Sequence, residues 1–302
     1  MPTLLWRGTN TSAVKFKLIF MTQHQHYRHL ALIAAMALFM QSLDATILNT
    51  ALPAISASLN ESPLEMQMTI ISYSLTVALF IPLTGWMADK YGTLNVFRAA
   101  VGVFVLGSVA CAMANSLNAL IWSRILQGVG GALMMPVARL TIIRNVPKTQ
   151  LVAAWNAMAM AGLIGPVLGP IVGGWLVTHA TWHWIFLINI PIGVLGIVFA
   201  GRYMPNSTGK IKKLDWIGFI LFAGGLAGVT LGLDLLSEER ANSGLTAVML
   251  SAGFISFLLY YYYAKRAQNS LLPLNVFRVR TFRIGMIANI FIRLTASGIP
   301  FL

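Results

Sequence analysis

Acidic residues are scarce: 8 Asp and Glu stand against 21 Lys and Arg in 302 residues, and charged residues of both signs make up only 10% of the chain. A single cysteine, Cys111, excludes an internal disulfide and a cysteine-based zinc site. It lies inside an apolar run, where it reads as a small lipid-buried hydrophobe. The sequence holds no nucleophile–base set and no cluster of metal ligands, so neither an enzyme nor a metal or other cofactor is expected. No small-residue cleavage site follows residues 1–20, which are polar and basic with a short apolar end, so a secretory signal peptide is not indicated. Met21 opens a segment that runs straight into the first apolar stretch, and a start at Met21 fits as well as one at Met1.

What the chain has in excess is apolar area. It is 57% hydrophobic with a mean hydropathy of +0.75, more than a soluble core requires. A spanning helix needs about 20 apolar residues. Nine stretches fit, near 30–51, 68–87, 97–114, 117–138, 151–177, 184–203, 216–236, 245–264 and 284–302, the last running to the end of the sequence. The reading is an all-α multi-span membrane protein set in a lipid bilayer.

The net charge of +13 invites a nucleic-acid partner, but the order of the charges argues against one. Numbering the loops alternately from the N-terminus puts 18 of the 21 basic residues on the N-terminal side. The opposite loops hold Arg240 with Glu61, Glu65, Glu238 and Glu239, while Arg124 and Arg293 lie inside spans. This is the positive-inside pattern, which predicts a cytoplasmic N-terminus.

Two loops are longer than the rest. Asn206–Asp215 is polar and basic and reads as a link between modules, and Ala267–Phe282 is a second link. The expected organisation is a segment 1–29, a six-span bundle over 30–204, a loop with two accessory spans over 205–266, and a link with the first helix of a further bundle over 267–302.

Span one carries Gln41, Asp44 and Asn49 in Gln-Ser-Leu-Asp-Ala-Thr-Ile-Leu-Asn-Thr-Ala-Leu-Pro. A carboxylate in a spanning helix costs about 2.5–3.5 kcal/mol on insertion scales, and such residues mark proton or substrate paths by default. Gln41 and Asp44 are three apart and share a face. Burial and a neighbouring cation act in opposite senses on such a carboxylate, so it can exchange a proton as its surroundings change. The plain alternative is a structural hydrogen-bonder. Span four carries Arg124, Gln127, Gly128 and Gly131 on one helical face. Arg124 cannot lose its charge and needs an acceptor, for which Asp44 is the candidate. Snorkelling to the interface is the alternative.

Between spans two and three, Gly85 and Gly92 flank Asp89 in Gly-Trp-Met-Ala-Asp-Lys-Tyr-Gly. Asp89 can cap the following helix or pair with Arg98, Arg139 or Arg144. In span five, Gly165, Gly169 and Gly173 fall four apart with Pro166 and Pro170 in step, bracketed by Gly162 and Gly174. Small residues at that spacing let two membrane helices meet backbone to backbone, and the groove reads as a surface on which something slides. Trp182 reads as an interfacial-belt tryptophan, His179 and His183 as surface histidines. Gln41, Asn189 and Arg293 are left as possible contacts for substrate or partner.

Together these motifs resemble the major facilitator superfamily, in its fourteen-span drug:proton antiporter branch (the EmrB/QacA type), and within it the MdtD/HsrA-like group. The similarity runs from about Leu30 to the last residue. Leu43–Pro53 is similar to the branch's first-span motif, which implies proton coupling at Asp44 and a structural role for Asn49 and Pro53. Gly85–Gly92 is similar to the gating-loop motif, with Asp89 as its acidic latch. Leu120–Ala132 is similar to the fourth-span motif and implies proton coupling at Arg124 and Gln127. Gly162–Gly174 is similar to the fifth-span antiporter motif, and Trp182–Pro191 to a signature opening span six.

The resemblance implies a six-helix N-terminal bundle, two accessory helices and the first helix of an incomplete C-terminal bundle. It implies export of small, amphipathic compounds or drugs in exchange for protons across the cytoplasmic (inner) membrane, with a C-terminal transporter half as missing partner. Two departures stand out. Thr93 and Leu94 replace the two basic residues usual after Gly92, which predicts a weaker latch, and five further spans would be needed to complete a relative of this branch. The competing readings are a truncated fragment that transports nothing and a proton-linked metabolite symporter.

Overall fold

In the computed structural model the described residues are 10–210, 213–237, 243–267 and 270–298, with side chains described for 27–210, 213–236, 243–267 and 270–292. Residues 1–9, part of the questioned N-terminal segment, and Glu238, Glu239 and Arg240 of the charge pattern lie outside them. Among the described residues every regular element is a helix. The α-helices are α1 (Asn10–Leu59), α2 (Gln67–Phe80), α3 (Thr84–Tyr91), α4 (Thr93–Ala112), α5 (Leu117–Asn145), α6 (Leu151–His179), α7 (Trp184–Leu187), α8 (Asn189–Tyr203), α9 (Trp216–Ser237), α10 (Ser243–Arg266) and α11 (Arg280–Gly298).

Among the described residues, eight helical stretches are long and apolar enough to cross a membrane. They match the first eight expected spans, with α2 and α3 joined through a 3-10 turn at Ile81–Leu83 into one span and α7 with α8 into another. The expected ninth span, 284–302, is helical in its described part, α11, but does not join the eight.

Local chemistry sets the breaks. α1 ends at Leu59, with Asn60 in the left-handed region at φ 55°, where asparagine is tolerated after a helix. Ser62 and Glu65 then form a reciprocal capping box: the Glu65 N–H donates to Ser62 Oγ and the Ser62 N–H to Glu65 Oε2, both at 3.2 Å. Ser116 caps α5 by accepting from the Ala119 N–H at 3.3 Å. Gly92, at φ 86° and ψ 149°, separates α3 from α4 in backbone space that is essentially glycine-only.

The chain divides into two compact units, Met1–Ile211 and Lys212–Leu302. In the first, α6 lies along α1, α4 along α5, and α8 against both α1 and α4. Two apolar clusters fill it. One holds Leu30–Met40 positions of α1, Val96–Phe104 positions of α4, Leu133–Ile142 positions of α5 and Ala200 of α8. The other holds Ile47–Ile55 positions of α1, Cys111 of α4, Leu120 of α5 and Phe186 of α7. Each of these paths crosses from one cluster to the other through a polar residue: Asp44, Ser108, Arg124 with Gln127, and Asn189. The sequence therefore builds one polar layer between two apolar ones.

The glycine spacing of α6 is used inside this unit. A Cβ on Gly165 would lie 2.9 Å from Ser42 Cβ and 3.0 Å from the Leu43 nitrogen, and one on Gly169 would lie 2.8 Å from Thr46 Cβ. A Cβ on Gly173 would lie 3.0 Å from Ile47 Cγ1, and one on Gly162 3.0 Å from Leu38 Cδ2. The partner of the stripe is α1. α1 fills the groove, because only a face without side chains lets its backbone come this close. The side of α6 turned away carries exposed Leu163, Val167, Ile171 and Trp175. Pro166 and Pro170 are exposed within a continuous α6, and a Cβ on Gly174 would meet no atom within 4 Å.

The second unit is a hairpin of α9 and α10 followed by α11. Gly228 and Gly253 meet with their backbones in contact: a Cβ on Gly228 would lie 2.9 Å from Gly253 Cα. Asp215 closes it at one end. Its carboxylate accepts from the Gly218 N–H at 2.8 Å, from Tyr263 Oη at 2.7 Å and from the Leu271 N–H at 2.9 Å.

Candidate functional site

Asp44 and Arg124 are each 1% exposed, deep in the first unit. They meet: Arg124 Nη1 donates to Asp44 Oδ2 at 2.7 Å. Snorkelling of Arg124 is thereby excluded. The other carboxylate oxygen, Oδ1, accepts from Gln127 Nε2 at 2.8 Å and from Asn189 Nδ2 at 3.1 Å. Arg124 also donates to Gln127 Oε1 at 2.5 Å and, through Nε, to the Thr69 carbonyl at 3.4 Å. Its guanidinium lies over the Tyr73 ring, 4.2 Å from the centroid. Side chains of α5 and α8 thus converge on one carboxylate of α1, with α2 against the guanidinium.

A buried ion pair is weak evidence for stability, since desolvating both charges cancels much of their attraction. The significance of this one lies in its chemistry. Every hydrogen-bond partner of Asp44 is a donor, so the layer meets both carboxylate oxygens with N–H groups.

Gln41 is partly buried, and its Nε2 donates to the Gly131 carbonyl at 3.4 Å, tying α1 to α5. A Cβ on Gly131 would stand 2.8 Å from Tyr73 Oη, which is buried. Asn189, left open in the sequence as a substrate contact, is fully buried and bonded to Asp44, so it lines no exposed surface. Ser108 joins the layer unannounced by the sequence. It accepts from Gln127 Nε2 at 2.9 Å and donates to the Phe104 carbonyl at 3.0 Å. Cys111 is buried in the bundle rather than facing lipid, 3.7 Å from Gln127 Oε1. Asn49 and Pro53 are exposed on α1. The Arg293 side chain lies outside the described residues.

Trp182 is also a correction. It is 6% exposed, stacked on His183 and edge-on to Phe186 inside the second apolar cluster, so it is a packing residue. Trp184, 52% exposed, occupies the kind of surface position expected of Trp182. His179 is exposed and stacked on Trp175, and His183 is partly buried.

At one end of the unit Asp89 Oδ1 accepts from Arg144 Nη2 at 2.5 Å, with both side chains about a third exposed. Of the alternatives open to Asp89, pairing with Arg144 is the one formed. Gly85 has open space beside it, whereas a Cβ on Gly92 would run into the Asn206 side chain. That contact belongs to a strap, Pro205–Gly209, expected in sequence to be a plain link. The Thr93 N–H donates to the Ser207 carbonyl and the Ser207 N–H to Thr93 Oγ1, both at 3.1 Å. The Leu94 N–H donates to Asn206 Oδ1 at 3.1 Å and the Gly209 N–H to the Asp89 carbonyl at 3.2 Å. Where basic residues were expected, Thr93 and Leu94 thus bind the chain that follows α8.

A bundle of membrane-length helices built around a buried carboxylate–guanidinium pair defines a multi-pass membrane protein. Residues 34–301 match the Major Facilitator Superfamily model, and the chain belongs to that family. It is 66% identical over 281 residues to a transport protein of Haemophilus influenzae, HsrA, covering 93% of this chain and 61% of the relative. It is 46% identical over 270 residues to the multidrug resistance protein MdtD assigned in Salmonella typhi, covering 89% of this chain and 57% of the relative. The chain thus spans about three fifths of the length of these relatives. Among solved structures, the POT family transporter PepTSo matches with TM-score 0.56 at 14% identity, covering 82% of this chain and 55% of that one. The human organic anion transporter MFSD10 matches with TM-score 0.52 at 16% identity, covering 86% and 70%. These likenesses establish the fold.

Proposed function

We propose that the chain serves proton-coupled export of small amphipathic compounds or drugs across the cytoplasmic membrane, with Asp44 carrying the proton and Arg124 and Gln127 governing its release. The observation that carries this reading is the Asp44–Arg124 pair, fully buried in a polar layer between two apolar clusters. An ionisable pair placed there is costly and serves ion or proton movement by default. In transporters built from repeats, coupling sites lie near the bilayer midplane where the repeats meet. The name of the MdtD relative supports a drug substrate.

In this reading α1–α8 form the N-terminal module, α9 and α10 are accessory, and residues 267–302 lead into the C-terminal half. The charge pattern supports a cytoplasmic N-terminus. That puts the Asp89–Arg144 latch, with Gly85 and Gly92, at the cytoplasmic gate.

The test is drug efflux driven by an imposed pH gradient in inverted membrane vesicles, with the protein expressed from its complete reading frame. Asp44→Asn abolishes the gradient-driven efflux while the protein stays in the membrane at parental amount. Efflux unchanged in that variant defeats the proposal. Drug and proton moving in the same direction would instead identify a symporter.

A further inference from the structure

The polar layer is unbalanced in its donors and acceptors. Asp44 touches Arg124 Nη1, Gln127 Nε2 and Asn189 Nδ2, and all three donate. That arrangement serves a carboxylate. A carboxylic acid carries an O–H that must itself find an acceptor.

The acceptors on the side chains bonded into this layer are taken, except one. Gln127 Oε1 already accepts from Arg124 at 2.5 Å and faces Cys111 Sγ at 3.7 Å. Ser108 Oγ accepts from Gln127 Nε2 at 2.9 Å and from Asn189 Nδ2 at 3.4 Å. Asn189 Oδ1 is buried and accepts from nothing. Leaving a buried carbonyl without a donor is costly, so its position in the layer calls for a reason. It belongs to a side chain already bonded to Asp44, and half a turn about the terminal bond of Asn189 exchanges its Nδ2 and Oδ1.

We propose that Asn189 is the positioning residue that reads the protonation state of Asp44, donating from Nδ2 to the carboxylate and, turned over, accepting at Oδ1 from the carboxylic acid. The inference rests on Asp44 being the proton carrier. The proton that arrives on an Asp44 oxygen then has a partner without any backbone movement. Arg124 is free to keep Gln127 Oε1 and the Thr69 carbonyl. The charged or titratable groups facing the site are Arg124 from α5, Tyr73 from α2 and Cys111 from α4. α6 meets α1 beside it with glycines, and α7 and α8 bring Phe186 and Asn189. Of these neutral neighbours, Asn189 is the one already hydrogen-bonded to Asp44 with a buried acceptor atom left over.

The test is an infrared difference spectrum of the purified chain in lipid, taken between alkaline and acid pH. The acid carbonyl band of Asp44 is identified by its loss in Asp44→Asn. In the parent it is expected at the frequency of a hydrogen-bonded acid. In Asn189→Leu, close in volume but unable to donate or accept, it is expected to shift to higher frequency. A second measurement needs no change at Asn189. With asparagine side chains labelled with nitrogen-15, an amide band is expected to change at the same pH midpoint as the acid band, and to be silent in Asp44→Asn. An acid band unmoved by Asn189→Leu, or labelled amides that ignore the titration, overturns the proposal while leaving Asp44 as proton carrier. No Asp44-dependent acid band at any pH overturns the carrier reading, and the inference falls with it.

Discussion

The buried pair makes a quantitative prediction through a double-mutant cycle. Asp44 and Arg124 are each 1% exposed and joined at 2.7 Å, so removing either partner strands a charge in an apolar interior. Breaking a buried pair this way costs about 3–5 kcal/mol. Arg124→Met keeps much of the side-chain volume against the Tyr73 ring, and Asp44→Leu keeps the bulk on α1. Each single change is expected to cost that amount, or roughly two to almost four orders of magnitude in the folded-to-unfolded ratio. The double variant Asp44→Leu/Arg124→Met strands no charge. It is expected to lose only about 1–2 kcal/mol, mainly from Gln127 and Asn189, whose bonds to Asp44 disappear. The coupling energy is then several kcal/mol, well above the roughly 0.5–3 kcal/mol of ordinary neighbours. The protein carries its own reporter. Cys111 is the only cysteine, is fully buried, and sits 3.7 Å from Gln127 Oε1. A thiol-reactive dye therefore stays dark until this layer opens, and a heating ramp in detergent reads its stability. A double variant as unstable as the two single losses combined would refute the pair as the energetic centre of the layer.

Other changes probe the scaffold around it. Gly92→Ala forces a side chain into glycine-only backbone space and against Asn206. It should cost about 1–3 kcal/mol in the same melting assay, and an unchanged transition would show that the strap is not closely packed. Gly165→Val should break the α1–α6 seam and cut the yield of folded protein, because even its Cβ would crowd Ser42 and Leu43. Gly174→Ala, with open space beside it, should stay within about 0.5 kcal/mol of the parent. Asp89→Asn should lower stability by no more than about 1 kcal/mol, since its ion pair with Arg144 is partly exposed. A much larger loss would mean that the carboxylate holds more of the latch than its exposure implies, since the Gly209 bond goes to the Asp89 backbone carbonyl and survives the change. Asp215→Ala removes three acceptor contacts in the second unit. It should increase protease cleavage near Leu271, with no change expected if those bonds are incidental.

Much of this site was legible in the sequence, because charge in an apolar run is conspicuous. Asp44 and Arg124 each stand alone in long uncharged stretches, and Gln127 shares a helical face with Arg124. The depth of burial then leaves them little choice but each other. Asn189 and Ser108 carried no such signal. An amide before Ile190-Pro191 and a serine among small residues are ordinary in membrane helices, and only the packing of α7, α8 and α4 on α1 and α5 brings them to the carboxylate. The glycine stripe was visible as spacing, but spacing names no partner, and the helix in its groove is more than a hundred residues earlier. Trp182 was misplaced because its position near a helix end suits an interface equally well, whereas the His183 and Phe186 rings draw it inward. The strap at Pro205–Gly209 was hidden for a different reason. It is held by the Thr93, Asn206 and Ser207 side chains together with backbone groups, and short polar residues of that kind read as an ordinary loop.

The measurement that bears most directly on the central claim separates binding from coupling in one variant. Asp44→Asn, expressed from the complete reading frame and reconstituted in vesicles, is assayed for substrate-for-substrate exchange and for uphill movement driven by a pH gradient. The account predicts that exchange persists and uphill movement is lost, since the amide keeps a polar group in place but carries no exchangeable acid proton. Uphill, proton-driven movement at the parental rate in Asp44→Asn would contradict it.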